Sequence, residues 1–386
     1  MNITLPALLA GALLLPLPSV ILGAEPGQCA TISADNADRC LRLNHIQVLG
    51  THNSYKRFPA PALITLLNEY RDGWADDISY QHRPLPEQLE MLGIRQFELD
   101  VFADPDGGLY SQPAGGLLID DPELTRHRAV MDAPGLKVLH SQDLDYRSTC
   151  LTLITCLTQI RDWSAQNPSH LPIMIMLELK DSARQDWGPL TYTTPQTIDA
   201  DNIFTVDDEI WQVFDRDHVI TPDDVRGDDD SLNAAVMARG WPTLADSRGK
   251  VLFALDNTGR HLTDYLSRSS VLAGRALFVS AMPGHPASAF LKMNNVLADA
   301  NAISQYAAQG YLIRTRSDVP SHEARTGDTP RREQALASGA QYISTDYVEP
   351  SPLGSDYQVV LPDTEGVARC NPISAPSGCR SEWLTE

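Results

Sequence analysis

The chain has 386 residues, of which 42% are hydrophobic and 21% are charged, and its formal net charge is −20. This composition suits a large folded core and excludes a disordered or fibrous protein. The negative charge excludes nucleic acid as a partner, because phosphate contacts require clustered lysine and arginine. It also argues against purely electrostatic adsorption to anionic lipid.

An apolar segment occupies the amino terminus and ends in small residues at Gly23 and Ala24. Prolines interrupt this segment, and no charged stop-transfer segment follows it, so we do not expect a membrane-spanning helix. We interpret residues 1–24 as a signal peptide. We expect the mature chain, residues 25–386, to be secreted to the extracellular space or the periplasm.

Strand-like apolar runs alternate with amphipathic stretches along the rest of the chain. Such alternation predicts a parallel sheet, and eight strands predict closure into a single-domain α/β barrel of the (β/α)8 TIM type. Long loop insertions are expected at 53–85 and 181–249. The predicted strands are 45–50, 95–101, 136–140, 172–179, 250–256, 276–281, 311–315 and 341–345. The predicted helices are 86–92, 152–165, 205–214, 302–309 and 331–338.

Six cysteines follow the apolar segment as three pairs of near neighbours. Many connectivities are formally possible, so the expected pairing rests on the short loops that it closes. No C-x-x-C motif or histidine cluster accompanies the cysteines, which argues against zinc. The expected disulfides are Cys29–Cys40, Cys150–Cys156 and Cys370–Cys379, the last of which would staple a C-terminal tail to the barrel.

Polar side chains gather where the predicted strands end, and this edge carries the active site in barrels of this type. Residues two apart on a strand share a face, so Glu98 and Asp100 are expected to project together into the barrel. The polar residues at the strand ends are His52, Asn53, Glu98, Asp100, His140, Glu178, Lys180, Asp256, Arg314, Arg316, Asp346 and Tyr347.

Carboxylate and amide oxygens are the ligands that calcium and magnesium prefer. The expected oxygen ligands are Asn53, Glu98, Asp100 and Glu178. Two histidines beside such a site can exchange protons with a phosphodiester, because histidine titrates near neutral pH. Plainer interpretations stay open at this point: each histidine can be structural, the Glu-x-Asp pair can form ion pairs with the arginines, and Lys180 can simply neutralise Glu178.

These motifs resemble the catalytic X region of phosphatidylinositol-specific phospholipases C, and in particular the secreted bacterial calcium-dependent branch. The resemblance covers almost the whole mature chain. It is carried by GTHNSY at 50–55, FELD at 97–100, LH at 139–140, LELK at 177–180, WPTL at 241–244, GKVLFALD at 249–256 and ISTDY at 343–347.

The resemblance implies calcium-dependent cleavage of phosphatidylinositol-type substrates to a cyclic or open inositol phosphate and diacylglycerol. The implied roles are calcium ligation by Asn53, Glu98, Asp100 and Glu178, catalysis by His52 and His140, and substrate contact by Lys180, Arg314, Arg316 and Tyr347. Transient contact with a lipid surface is compatible with this substrate, although this sequence shows no obvious membrane-targeting domain like those of the eukaryotic enzymes.

In the expected mechanism, the inositol 2-hydroxyl attacks phosphorus and passes its proton to a carboxylate such as Glu98 or Glu178. His140 protonates the leaving oxygen, and His52 hydrogen-bonds the phosphoryl oxygen.

Two other classes of function stay open on the sequence. A glycerophosphodiester phosphodiesterase or a sphingomyelinase-D-like lyase shares the barrel, the Glu-x-Asp pair and two histidines, although the first would be expected to open with His-Arg-Gly. A secreted, non-catalytic binding module could also use this scaffold. The presence of two histidines and three carboxylates argues against it, because binding alone does not need all five.

Overall fold

The computed structural model describes residues 29–386, so the predicted signal peptide over 1–24 lies outside the described residues. No helix within 29–386 combines the length and the apolar character needed to cross a bilayer.

The strands are β1 (Ile46–Thr51), β2 (Gln96–Phe102), β3 (Lys137–Val138), β4 (Ile173–Leu179), β5 (Val251–Leu255), β6 (Leu277–Ser280), β7 (Ser288–Lys292), β8 (Leu312–Arg316), β9 (Tyr342–Thr345) and β10 (Ala368–Cys370). The α-helices are α1 (Ala37–Cys40), α2 (Pro61–Asn68), α3 (Leu85–Leu92), α4 (Ala114–Leu118), α5 (Leu124–Met131), α6 (Leu153–Gln166), α7 (Thr205–Val213), α8 (Pro222–Arg226), α9 (Leu232–Arg239), α10 (Leu244–Ser247), α11 (Gly259–Leu266), α12 (Val296–Gln309), α13 (His322–Thr326) and α14 (Pro330–Ala337). Short 3-10 turns lie at Leu43–His45, Asp76–Ile78, Arg216–His218 and Ser381–Trp383.

Eight parallel strands form a closed barrel in the order β1-β9-β8-β7-β6-β5-β4-β2, and β1 pairs with β2 between Gly50 and Gln96 to complete the ring. A Cβ at Gly50 would lie 2.7 Å from Cβ of Gln96, so the missing side chain permits this close approach. The predicted barrel is confirmed. Outside the ring, β3 pairs antiparallel with β2 and β10 pairs antiparallel with β1.

One predicted barrel strand is wrong. The segment 136–140 contributes only the short β3, which pairs antiparallel with Val101 and Phe102 at the end of β2. The eighth barrel strand is instead β7, which is not predicted from the sequence. Its short apolar run directly follows the proline-containing loop at 282–287 and is hard to distinguish from that loop. The other predicted strands and the five predicted helices are confirmed, with α12 extending the predicted 302–309 back to Val296.

Alternation along β2 places charge inside the barrel, as predicted. Phe97, Leu99 and Val101 are fully buried in the main hydrophobic core, while Glu98 and Asp100 project from the opposite face of the strand. Two buried carboxylates of β2 therefore lie at the barrel mouth, while the other face of the strand packs against the helices.

All three expected disulfides are present: Cys29–Cys40, Cys150–Cys156 and Cys370–Cys379. The last one closes the C-terminal tail just after β10, and the Glu386 carboxylate at the chain end pairs with the buried Arg95 guanidinium. The tail is therefore tied to the barrel at several points. Disulfides of this kind favour an oxidising compartment, either extracellular or periplasmic.

Candidate active site

His52 directly follows β1 at the mouth of the barrel. Its backbone N–H donates to Thr345 O at 3.0 Å, which continues the pairing of β1 with β9. Its Nδ1 lies 2.8 Å from Asp346 Oδ1 and 3.3 Å from the Tyr80 hydroxyl, and its Nε2 lies 3.7 Å from Glu98 Oε1. One ring nitrogen is therefore anchored, and the other faces the carboxylates inside the mouth.

The charges around His52 define its tautomer. Burial alone would raise the pKa of Asp346, but Arg316 and His52 outweigh it and hold that pKa below its usual range. Burial, and then Arg316, lower the pKa of His52 well below its usual value. An ionised Asp346 only accepts hydrogen bonds, so the neutral ring donates through Nδ1–H and carries its lone pair on Nε2.

His140 reaches the same mouth by a different route from the predicted one. The antiparallel register of β3 runs from Phe102 toward Val101, so the chain beyond β3 runs back beside the end of β2 and carries His140 with it. Its Nδ1 lies 2.8 Å from Asp145 Oδ2. Burial would raise the pKa of Asp145, but Lys56 and His140 outweigh it and the pKa lies below the usual range.

A ring of acidic oxygens occupies the mouth beside His52. One oxygen from each of Glu98, Glu178 and Asp256 lies within 4.8 Å of the others. Asp100, two residues after Glu98, is fully buried on the same face of β2. Oδ1 of Asn53, whose φ of 49° is tolerated by asparagine, is buried without a hydrogen-bond partner, as is Oδ1 of Asp100.

Cationic side chains balance part of this negative charge. Arg314 donates to a Glu98 oxygen, and Lys180 Nζ lies 3.2 Å from Asp100 Oδ2 and 3.0 Å from Glu178 Oε2. Burial, opposed by Arg314 and reinforced by nearby carboxylates, raises the pKa of Glu98 to about 7. The oxygen ring is therefore costly to keep ionised unless a cation is present.

The four predicted substrate contacts differ in accessibility. The side chain of Lys180 is 27% exposed, whereas those of Arg314 and Arg316 are 1% and 9% exposed. Arg316 pairs with Asp346 and so lies behind His52. Tyr347 is buried, its hydroxyl has no hydrogen-bond partner, and it lines a cavity of about 580 Å³ beside the mouth.

Several residues at this site had no role assigned from the sequence. Asp346 and Asp256 were recognised at strand ends but not as a histidine partner or a member of the oxygen ring. Tyr80 and Asp145 lie in loops, where no strand or helix periodicity marks them. The only available signal for Asp145 was a carboxylate five residues after a candidate catalytic histidine.

Comparison with known proteins decides the family. A family model described as phosphoinositide phospholipase C, Ca2+-dependent, matches residues 41–372. The chain belongs to this family. No curated protein matches the chain at a significant level.

Solved structures of a bacterial phospholipase C from a Pseudomonas species share the fold of this chain. A calcium-dependent phosphoinositol-specific phospholipase C from a Pseudomonas species is 16% identical, with a TM-score of 0.52, over 86% of this chain and 96% of that one. Its myo-inositol complex gives the same TM-score and identity over 88% and 98%. The Streptomyces antibioticus enzyme is 20% identical, with a TM-score of 0.49, over 79% and 95%.

Calcium is the cofactor of this phospholipase C family, and the oxygen ring fits it. Calcium takes six to eight oxygen ligands from carboxylates and amide carbonyls. The Oδ1 atoms of Asn53, Asp100 and Asp256 are buried and lack hydrogen-bond partners, which leaves them available to a cation. The donors that would hold calcium are Asn53, Glu98, Asp100, Glu178 and Asp256, the last of which was not among the expected ligands.

Proposed function

We propose that this chain cleaves the phosphodiester of phosphatidylinositol, forming a cyclic inositol phosphate and releasing diacylglycerol. One observation carries this proposal. His52 and His140 are each anchored at Nδ1 by a buried carboxylate with a depressed pKa, and a ring of calcium-type oxygen ligands lies at the same mouth. This arrangement offers a proton acceptor and a proton donor beside a place for the phosphate.

His52 is the general base in this proposal. Its Nδ1–H already donates to Asp346, so the neutral ring offers only a lone pair at Nε2. Nε2 takes the proton of the inositol 2-hydroxyl as the hydroxyl oxygen bonds to phosphorus. This role replaces the two expected from the sequence, in which Glu98 or Glu178 accepted that proton and His52 donated to a phosphoryl oxygen.

His140 is the general acid. Its Nε2 passes a proton to the diacylglycerol oxygen as the bond from that oxygen to phosphorus breaks, so one proton is taken up and one is released. The anionic Asp145 at Nδ1 interacts favourably with a cationic ring and fixes its orientation. Attack from within the substrate benefits from built-in proximity, and the product is a five-membered cyclic phosphate.

Calcium bound at the oxygen ring would neutralise the charge that develops on the phosphate and make the 2-hydroxyl more acidic. Among the expected substrate residues, Lys180 is the best placed to contact the phosphate, because its side chain is partly exposed at the mouth. Arg314 and Arg316 are buried in ion pairs and would act by orienting Glu98 and Asp346.

A turnover assay tests this function. The wild type should cleave phosphatidylinositol with calcium and lose that activity in EGTA, and His140→Ala should lose roughly 10²–10⁴-fold in rate while it still binds calcium. Glycerophosphocholine and sphingomyelin serve as comparison substrates. Faster turnover of either of these, or wild-type rates from His140→Ala, would reject the proposal in favour of the related phosphodiesterases.

We infer that the enzyme contacts its lipid substrate through two apolar helices at the mouth. In α2, which follows β1, every residue except Thr65 and Asn68 is apolar, and the apolar Pro61 and Ala62 are exposed while Ile64 and Leu66 are half-buried. In α4, which follows β2, Leu117 and Leu118 are 49% and 43% exposed. Both helices pack on one small hydrophobic cluster, so they form one continuous apolar surface beside the site.

Vesicle sedimentation tests this surface. Replacing Leu117 and Leu118 together by serine should weaken binding to phosphatidylcholine vesicles roughly tenfold, since each leucine contributes part of its burial energy. The rate on a soluble short-chain substrate should not change. Met91→Ser is the matched control, because Met91 is 61% exposed but lies at the end of α3 that leads into β2. Equal weakening by both variants would refute the surface.

We infer secretion as the route to the oxidising compartment that the disulfides favour. The predicted signal peptide over 1–24 supplies the export signal, and we propose that the catalytic unit extends over 25–386. Amino-terminal sequencing of the exported protein would locate the cleavage point.

A further inference from the structure

Lys56 is a buried lysine that the expected mechanism leaves without a role. Its side chain is 0% exposed, and its backbone N–H donates to Asn53 O at 2.8 Å, which ties it to the turn that follows β1. Desolvation of an ammonium is costly unless the charge is paired and fully hydrogen-bonded. The partners of Lys56 Nζ are therefore informative.

The first partner connects Lys56 to one histidine. Nζ lies 3.1 Å from Asp145 Oδ2, the same oxygen that accepts from His140 Nδ1 at 2.8 Å. The other Asp145 oxygen has no hydrogen-bond partner. The orientation of this carboxylate is therefore set by Lys56 on one side and by the imidazole on the other.

Besides a long contact to Arg57 O at 3.4 Å, two further partners connect Lys56 to the other histidine. Nζ donates to Ile78 O at 2.6 Å and to Tyr80 O at 3.1 Å, and it lies 4.5 Å from the centre of the Tyr80 ring. These contacts hold the backbone that carries Tyr80. The Tyr80 hydroxyl in turn accepts from Asn53 Nδ2 at 2.6 Å and lies 3.3 Å from His52 Nδ1.

We propose that Lys56 is the positioning residue shared by both histidines: its ammonium holds Asp145 against His140 and holds Tyr80 against His52 and Asn53. Lys56 does not touch the substrate. The Tyr80 contact also has a consequence for the metal, because it engages the amide nitrogen of Asn53 and so leaves Oδ1 as the atom that faces the oxygen ring. This inference rests on the proposed function, in which His140 is the general acid.

A comparison of leaving groups separates positioning from mere stability. An alkyl alcohol leaves from phosphorus only if it is protonated, whereas an activated phenolate leaves without a proton. If the general acid is poorly oriented, cleavage of soluble inositol phosphodiesters with alkyl leaving groups should therefore slow far more than cleavage of those with 4-nitrophenyl leaving groups. A variant that is only partly folded should cleave both substrates more slowly by the same factor, because less active enzyme is present.

Lys56→Met removes the charge and keeps the approximate length of the side chain. We expect its kcat to fall on the order of 10²-fold with the alkyl substrate and less than roughly tenfold with the aryl substrate. Because Lys56→Met leaves Asp145 buried without its ammonium, Lys56→Gln is a second variant that removes the charge but keeps N–H donors for the same partners and leaves Asp145 intact. Lys56→Gln should show the same leaving-group selectivity.

Lys137→Met is the matched control. Lys137 is also 0% exposed and pairs with a buried carboxylate, Asp104, at 3.5 Å, but it contacts neither histidine. We expect it to lower the melting temperature without a leaving-group-dependent loss of rate. A selective defect in Lys137→Met, equal to that of Lys56→Met, would show that loss of any buried ammonium is sufficient and would overturn the inference.

His140→Ala separates this inference from the function on which it rests. If His140→Ala loses selectively on the alkyl substrate and both Lys56 variants lose equally on the two substrates, or not at all, Lys56 does not position His140 and its shared role is wrong, while the general acid stands. If His140→Ala itself shows no selectivity, the general-acid assignment fails. The expected result is the same selective defect in His140→Ala and in both Lys56 variants.

Discussion

The Asp346 carboxylate joins His52 to Arg316, with Oδ1 lying 2.8 Å from His52 Nδ1 and Oδ2 lying 2.8 Å from an Arg316 nitrogen. All three side chains are largely buried. Burial alone would raise the pKa of this carboxyl, but Arg316 and His52 together outweigh burial and hold the pKa below its usual range, so the carboxylate stays ionised. It therefore fixes the tautomer of His52 and, through it, the side of the ring that presents a lone pair to the substrate.

Asp346→Asn should lower kcat by roughly 10²–10⁴-fold while the barrel stays folded, because an amide can turn its NH2 toward Nδ1 and leave the proton on the wrong ring nitrogen. The rate on a soluble inositol phosphodiester and the thermal unfolding curve measure the two effects separately. Asp207→Asn is the control, since Asp207 is a buried carboxylate paired with Tyr265 and Arg275 away from the histidines. A wild-type rate from Asp346→Asn would disprove the anchoring role.

Asp256→Asn should weaken calcium binding at least about tenfold, because the substitution removes a unit charge from the oxygen ring. Isothermal titration with calcium measures this affinity directly. Asp208→Asn, at an exposed position on α7, controls for the change in net charge. If Asp256→Asn binds calcium as the wild type does, Asp256 serves only to pair with Lys292, which lies 2.6 Å away.

Glu209 should make the stability of the barrel depend on pH. Burial raises its pKa to about 7, while Oε1 accepts from the Leu136 N–H at 2.7 Å and Oε2 has no hydrogen-bond partner. A carboxyl with a raised folded-state pKa favours the fold below its unfolded pKa of about 4.5, and this contribution is lost as pH rises through about 7.

Glu209→Gln keeps the acceptor for Leu136 and removes the charge, so it should gain stability relative to the wild type between pH 4.5 and pH 8 by on the order of 2–3 kcal/mol. Urea unfolding of both proteins at the two pH values measures this difference. Asp208→Asn on the same helix is the control and should show little change. A stability difference between Glu209→Gln and the wild type that does not vary with pH would contradict the raised pKa.

The architecture could be predicted from the sequence because apolar strand segments, several of them followed by polar residues, recur along the chain. Long apolar runs such as β4 can only be strands covered by helices, and polar residues at their ends mark the mouth. The exchange of β3 for β7 could not be predicted, because the segment 136–140 carries three apolar residues, Leu136, Val138 and Leu139, and so resembles a barrel strand. Only the pairing of this segment with Val101 and Phe102 shows that it lies outside the ring.

The candidate site was predictable to the extent that its residues sit on strands. Glu98 and Asp100 share a face by simple alternation, and the structure brings them to one mouth with His52 and Glu178. Asp145 and Lys56 could not be assigned in this way. Their proximity depends on how two loops fold over the mouth, and no periodicity in the sequence reports that contact.

Phosphorus NMR of the product made from phosphatidylinositol, recorded with calcium and with EGTA, tests the central claim most directly. We predict that a cyclic inositol phosphate appears first, that its formation stops in EGTA, and that calcium restores it. An open-chain phosphomonoester as the first product would contradict attack by the 2-hydroxyl. Undiminished formation of the cyclic product in EGTA would contradict the calcium site formed by the oxygen ring.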